Sequence, residues 1–412
     1  PYAENERQQS VIRKLIEFYE TGNLAVFDAY TILWVEETEG EVDFTNGFTE
    51  VYGDPLGLKA SWEGYVNYTD HQATRRAQAL SRNAQWFEDH SPVDARFKKP
   101  LCRGVSAKVI NAAILGGDLY PSSAIGINLP NSNWVRAEHG SKSVTIANLT
   151  HAYDEAARGN GFRNEFADST QTVSLMDRYG SICDDLHTDL HECLGHGSGR
   201  LLPGVDPDAL KAYGSTIEEA RADLFGLYYL ADEKLVELDL TPCQEAYKAQ
   251  YYSYMMNGLL TQMVRIQPGH QIEEAHMRNR ALIARWTLGH YPQAVRLSEQ
   301  DGKHYVEILD YPLLRTAFGN LLAEIQRIKS EGDLQAARQM VERYGVQIDA
   351  ELHQEVLERY SKLHLAPYKG FINPRYTPVC DSDGRITDVH IDYLETYDEQ
   401  MLRYSRQYNT LI

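Results

Sequence analysis

The run His191-Glu192-Cys193-Leu194-Gly195-His196 carries the residue types of a metal-assisted hydrolase. Two imidazoles can hold a divalent ion. A glutamate beside the first can take a proton from water without being a ligand itself. The spacing departs from the common H-E-x-x-H signature by one inserted residue. Histidines at i and i+4 face the same way on a helix of 3.6 residues per turn, whereas a second histidine at i+5 is turned roughly 100° further. Either the helix is locally loosened, as in a π-bulge, so that both imidazoles converge, or no metal binds here. Gly195 favours the first reading, because a glycine beside the second histidine eases a backbone distortion.

A catalytic zinc usually takes three protein ligands and leaves a fourth position for water. The stretch Thr216-Ile217-Glu218-Glu219-Ala220-Arg221-Ala222-Asp223 supplies candidates for the third. Glu219 and Asp223 are four apart and share a helix face. One could bind the metal while the other accepts the remaining N–H of a ligand histidine. Read alone, the stretch is an ordinary helix start with acids set against the dipole; beside the hexapeptide, the metal reading is the better one.

The pair His-Glu-x-x-Gly-His and Glu-Glu-x-Arg-Ala-Asp resembles the paired signature of the dipeptidyl peptidase III family of zinc exopeptidases. Vertebrate members usually carry Leu at the position of Cys193, Cys at that of Ala220 and Glu at that of Asp223, so the chain looks like the bacterial branch. The resemblance implies one Zn²⁺ per chain, held by His191, His196 and Glu219, with Glu192 as general base and Glu218 and Asp223 orienting the ligands.

Three further segments carry the resemblance. Alternation places Glu50 and Tyr52 on one face of a strand, which by itself reads as an exposed strand face. The segment Gly47-Phe48-Thr49-Glu50-Val51-Tyr52-Gly53-Asp54-Pro55 nevertheless resembles the family's substrate-cleft strand, and Glu63 matches a further glutamate. The likeness implies that these acids hold the peptide's free amine and that Tyr52 polarises the scissile carbonyl. Asn128 and Asn131, beside Pro130, would ordinarily be turn formers. They match the family's Ile-Asn-x-Pro-Asn segment, which binds the substrate's N-terminal residues, with Arg136 just beyond. The chain departs from the family at Ser132-Asn133, where Tyr-Asp is frequent. A lone helical histidine such as His276 is normally a surface or core residue; its setting Glu274-Ala275-His276-Met277-Arg278 resembles the stretch whose histidine stabilises the family's transition state. Lys369 and Arg375 read as surface bases and stay outside the site.

These residues need a scaffold, and 412 residues allow a large core and more than one domain. The pattern predicts helices over about 4–20 and 23–37, strands and turns over 42–70, a helix over 71–90 and a buried strand over 105–116. From about 145 to 363 it reads as largely helical, with the two histidines at the end of a helix over 173–198 and Glu219 in one over 216–236. Further helices are expected over 243–265, 270–287, 313–331 and 333–345, and strand and turn return after Pro367. The expected class is α+β: a mixed, β-rich lobe from 1–70, 111–155 and 368–412, and a helical zinc lobe from 71–110 and 156–367. The family likeness implies a substrate cleft between them.

The net charge of −19, from 40 basic and 59 acidic residues, disfavours a nucleic-acid or anionic-membrane surface and suits substrates with a positive end. No apolar run approaches a membrane span. The five scattered cysteines read as reduced thiols of a cytoplasmic protein rather than a disulfide framework. The expected partners are short peptides with a free N-terminus and an N-terminal region of a longer parent, since the family carries one ahead of the part matched here. The expected activity is release of dipeptides from peptide N-termini. Two other readings stay open: a peptide-binding fragment that does not turn over, and an endopeptidase of the same zinc chemistry.

Overall fold

Asparagine caps open the first two helices. Asn5 accepts from the Gln8 N–H ahead of Glu6–Thr21, and Asn23 from the Ala25 N–H ahead of Leu24–Glu36. Gly22, at φ 65°, ends the first in the left-handed conformation that glycine adopts without cost. This computed structural model describes residues 3–50, 60–102, 108–117, 119, 126–130, 132–140, 142–149, 151–152, 159–365 and 372–407. The fold class is α+β, and the chain divides into two compact units.

The first unit is Pro1–Arg75, Ala107–Glu155 and Ala366–Ile412. Its centre is a five-stranded sheet of β1 (Val42–Glu50), β2 (Ser61–Thr69), β3 (Lys108–Gly117), β4 (Gly126–Leu129) and β5 (Lys142–Ile146), in the order β1-β2-β3-β5-β4. Among the described strands of this sheet only β3 and β5 pair in parallel, an arrangement that needs a crossover connection; here the intervening chain carries β4 and the helix Asn133–His139. Apolar side chains gather in two places. Tyr65, Ile110, Ala112, Leu115 and Ile146 form one cluster, and the two N-terminal helices bury Val11, Tyr30, Trp34 and Val35 with Leu129. β3 begins at Lys108 and pairs with β2 and β5, so the residues just before 111 belong with this sheet by hydrogen bonding.

The second unit is Arg76–Ser106 and Ala156–Leu365. The helix Gly214–Leu230 runs through its middle, with Ile217, Ala220, Ala222, Leu224 and Leu227 fully buried. The helix is buried on nearly every side, polar residues included, and Thr170–Leu190, Ala275–His290 and Tyr311–Glu331 all pack on it. The helical reading of 145–363 missed one element: a hairpin of β6 (Val295–Gln300) and β7 (Lys303–Ile308). Its turn residues Asp301 and Gly302 have φ of 52° and 73°, the Asp-Gly hairpin turn that a helix cannot contain. After β7 the chain is helical again to residue 361. A second hairpin, β8 (Arg375–Cys380) and β9 (Ile386–Asp392), lies in the first unit. Among the described residues no helix is long and apolar enough to cross a membrane.

Gly258, in the helix Tyr247–Leu259, sets how closely that helix meets Ala275–His290. A Cβ there would lie 2.5 Å from the Arg280 carbonyl oxygen and 2.6 Å from the Ala284 Cβ. Both obstacles are close to backbone and cannot swing away. Gly258→Ala is therefore expected to destabilise the protein by about 1–3 kcal/mol, the usual cost of overpacking, read as a lower urea midpoint at unchanged m-value.

Candidate metal centre

Ser169 starts the helix Thr170–Leu190 by accepting from the Thr172 N–H at 3.2 Å. The helix runs without a break into one π-helical turn, His191–Gly195. There the His196 N–H donates to the His191 carbonyl at 3.0 Å, an i→i+5 bond. The wide turn absorbs the inserted residue, and the two imidazole centroids lie 4.6 Å apart with their planes at 89°. Gly195 does not occupy the left-handed region. It is required by packing: a Cβ would sit 2.9 Å from the Ala222 Cα on the facing helix. That contact brings the acids of Gly214–Leu230 to the histidines.

Glu219 Oε2 lies 3.3 Å from His191 Nε2, 3.9 Å from His196 Nε2 and 3.5 Å from His276 Nε2. Ligand atoms of His191, His196 and Glu219 all fall within 4.8 Å of one another. Glu219 Oε2 is buried and makes no aligned hydrogen bond among the described residues. A desolvated carboxylate oxygen without a donor is costly, and a cation bonded to it and to the two imidazoles would remove that cost. The donor set of two imidazole nitrogens and one carboxylate suits zinc. On these observations the residues fit a metal ion.

The far sides of both rings are already committed. His191 Nδ1 donates to Asp223 Oδ1 at 2.7 Å, and His196 Nδ1 donates to Glu218 Oε1 at 2.8 Å. An ionised carboxylate only accepts, so each Nδ1 carries the hydrogen and each Nε2 faces inward. Tyr254 donates its hydroxyl to Asp223 Oδ2 at 2.7 Å. His187 lies 3.6 Å from Asp223 Oδ1, in space that exists because residue 226 is glycine: a Cβ there would overlap the His187 ring. Glu218 is held by the fully buried Arg221, through Nε at 3.0 Å and Nη2 at 2.6 Å, and by the Lys329 ammonium. Burial alone would raise the Glu218 carboxyl, but Arg221, His196 and Lys329 hold it well below the usual carboxylate range. Burial likewise opposes the charged form of Asp223, and the hydrogen bond and charge of His191 overcome it, so this carboxyl too is lowered.

Glu192 is exposed beside His191 and makes no hydrogen bond or ion pair among the described residues. His276 opens the helix Ala275–His290, where Glu274 does two things. It caps the helix by accepting from the His276 and Met277 N–H groups, both at 2.9 Å, and it accepts from His276 Nδ1 at 2.6 Å. The metal group, Glu192, Glu218, Asp223 and His276 thus gather in one unit. In the other unit, Glu63 is buried in β2 and accepts from Thr49 Oγ1 at 2.7 Å. Tyr52 and Asn131, and the side chains of Glu50, Asn128 and Arg136, lie outside the described residues. Sequence reasoning gives no role to Arg221, Tyr254, Lys329 or His187. Only Arg221 leaves a local trace, three residues after Glu218 on the same helix face.

The profile of peptidase family M49 matches residues 1–211 and 207–363, so the chain belongs to peptidase family M49. It is 27% identical over 293 residues to the dipeptidyl peptidase 3 of Dictyostelium discoideum, covering 62% of this chain and 40% of that protein. Against the Rattus norvegicus dipeptidyl peptidase 3 the figures are 24% over 391 residues, covering 85% and 52%. The chain spans about half the length of the curated relatives it matches. The solved structure of DPP III from Caldithrix abyssi shares the fold at a TM-score of 0.72 and 20% identity, covering 87% of this chain and 66% of that one.

The histidine–carboxylate contacts generate a pH prediction. Burial lowers the His191 pKa, but the hydrogen bond to Asp223 and the nearness of the Glu219 carboxylate outweigh it and push the group up to about 10 in the protein without metal. The raised value means that His191 stabilises the metal-free fold fully below an unfolded pKa of about 6.5 and loses that contribution as pH rises toward its folded value. A metal ligand must be neutral, so binding at pH 8 is expected to expel about one proton from this group. Calorimetric titration of metal-free protein with zinc, in buffers of different ionisation enthalpy, reads that number. Asp223→Asn should reduce it.

Proposed function

We propose that the chain is the metal-carrying part of a zinc-dependent exopeptidase that releases dipeptides from the N-termini of peptides. One observation carries the reading: two imidazoles and a buried, donorless carboxylate oxygen converge beside an exposed glutamate that no neighbour holds. Membership of peptidase family M49 and relatives named dipeptidyl peptidase 3 support it.

Zinc bound by His191, His196 and Glu219 would supply Lewis acidity, lowering the pKa of a water toward about 7 and polarising a carbonyl. Glu192 is the proton acceptor, because it adjoins a ligand histidine and is committed to nothing else. His276, whose Nδ1–H is engaged by Glu274, turns Nε2 toward Glu219 and so toward the reacting carbonyl oxygen. Tyr52 is the proposed second group for that oxygen. Glu50, Glu63, Asn128 and Asn131 are the proposed acceptors for the substrate's ammonium group, with Arg136 as a further proposed substrate contact. Two extended residues span about 7 Å, so an enzyme that holds the free amine and cuts after the second residue would release dipeptides. A reducing, cytoplasmic setting fits the five cysteines, which form no disulfide.

Glu192→Ala is expected to keep its zinc and lose hydrolysis by a factor on the order of 10²–10⁴, measured on a dipeptidyl-arylamide with metal content assayed on the same sample. Loss of zinc together with activity would make Glu192 structural and the mechanism wrong. The exopeptidase reading is tested on one peptide with a free and with an acetylated N-terminus. An acetylated amine has neither charge nor three donors, so the free peptide should be cut far faster, and only after its second residue by mass spectrometry. Equal rates, or cuts scattered along the peptide, point instead to an endopeptidase.

A further inference from the structure

The chain leaves the metal turn through a three-residue strap, Gly197-Ser198-Gly199. His191 has helical backbone on both sides, but His196 ends the turn, and its Nε2 lies farther from Glu219 than that of His191, 3.9 against 3.3 Å. The strap on the C-terminal side of His196 therefore helps decide where its ring sits. That strap is tied from outside. Arg221 donates to the His196 carbonyl at 3.2 Å, to the Ser198 carbonyl at 3.1 Å and to Ser198 Oγ at 2.5 Å. The Lys99 ammonium donates to the Gly197 carbonyl. Glu88, only 2% exposed, receives the Gly199 N–H on both carboxylate oxygens, at 3.0 and 3.2 Å, and the Lys99 N–H at 2.6 Å. Gly199 itself, at φ +64°, presses on the Gln326 amide, which an added Cβ would overlap.

We infer that Glu88, with Lys99, is a positioning residue for the metal: the two hold the Gly197–Gly199 strap and so fix His196. Both come from the segment Arg76–Ser106, which joins this unit before the chain crosses back into the sheet unit. A buried carboxylate is costly to desolvate and is kept where its hydrogen bonds are multiple. Glu88 accepts from backbone N–H groups, one on the strap and one at Lys99, so its charge ties two pieces of main chain together. Metal sites lose about 10–100-fold in affinity when such outer partners are removed, because ligands must be held to about 0.5 Å.

The inference rests on the zinc reading of the site, and the experiment separates the two. Zinc affinity is measured by competition with a chromophoric chelator for the full chain, Glu88→Gln, Lys99→Met and a control, Glu165→Gln, which breaks ion pairs to Arg359 and Lys303 away from the strap. Metal-free melting temperature and far-UV circular dichroism report folding, and the visible spectrum of the cobalt-substituted proteins reports ligand geometry. Glu88→Gln is expected to weaken zinc binding about 10–100-fold and alter the cobalt spectrum, whereas Glu165→Gln lowers the melting temperature and changes neither. An unmodified chain that binds no zinc refutes the zinc reading itself. A chain that binds zinc beside a folded Glu88→Gln of equal affinity and spectrum overturns the role of Glu88. If Glu88→Gln does not fold, Lys99→Met decides by the same criterion.

Discussion

The close approach of two helices at glycine positions governs the candidate metal centre. Thr170–Leu190, with its π-helical end, lies against Gly214–Leu230 so tightly that Gly195 meets the Ala222 backbone and Gly226 meets the His187 ring. Interiors pack at crystal density and do not yield to an extra methyl group without moving something. With that spacing set, three acids on one helix, Glu218, Glu219 and Asp223, reach two histidines five apart on the other. Widening it by the thickness of a side chain would lengthen the contacts of all three together. The electrostatics of the site are in this sense a consequence of its packing.

The charges are then arranged so that nearly every buried one has an answer. Asp223 faces His191 and Tyr254; Glu218 faces His196, Arg221 and Lys329. Burying ions is expensive, and such pairs persist where hydrogen bonds satisfy the remaining lone pairs. The exception is Glu219 Oε2, which has no aligned donor among the described residues. Its inward direction follows from the others: the outer nitrogens of both rings are taken, so only the inner ones and this oxygen remain to meet. Burial depresses the ammonium of Lys329, a cost accepted to keep Glu218 ionised behind His196.

Much of this is readable from local sequence, for reasons that differ by element. The helices over 6–21 and 170–190 announce themselves through an Asn or Ser cap and helical apolar spacing, and that over 24–36 through its Asn cap and an apolar run, which are local properties. The hairpin at 295–308 is equally local in origin: Asp301-Gly302 between alternating strands is a strong turn signal, overlooked inside a long helical region. The parallel pairing of β3 with β5 has no local signature, because it depends on where the intervening chain crosses. The π turn is one of two backbone alternatives that the i+5 spacing allows. The glycine beside it serves a different purpose from the one its position suggests, since Gly195 relieves a contact with Ala222 and not a strained torsion.

The sequence by itself determined which side chains were available: the types and spacing of His191, Glu192, His196, Glu218, Glu219 and Asp223 supply two imidazoles and four carboxylates, the groups a metal site can draw on. It could not apportion Glu219 and Asp223 between two roles, since residues four apart share a helix face and differ only in what lies opposite. Tertiary structure decided that, by setting Asp223 against the outer nitrogen of His191 and Glu219 Oε2 among the inner ones. It alone also recruited Arg221, Lys329 and Tyr254 around the acids and Glu88 and Lys99 around the strap. Such partners lie up to 111 residues apart in the chain. Hydrogen bonds and ion pairs act over a few ångströms of space, and sequence separation carries no record of that distance.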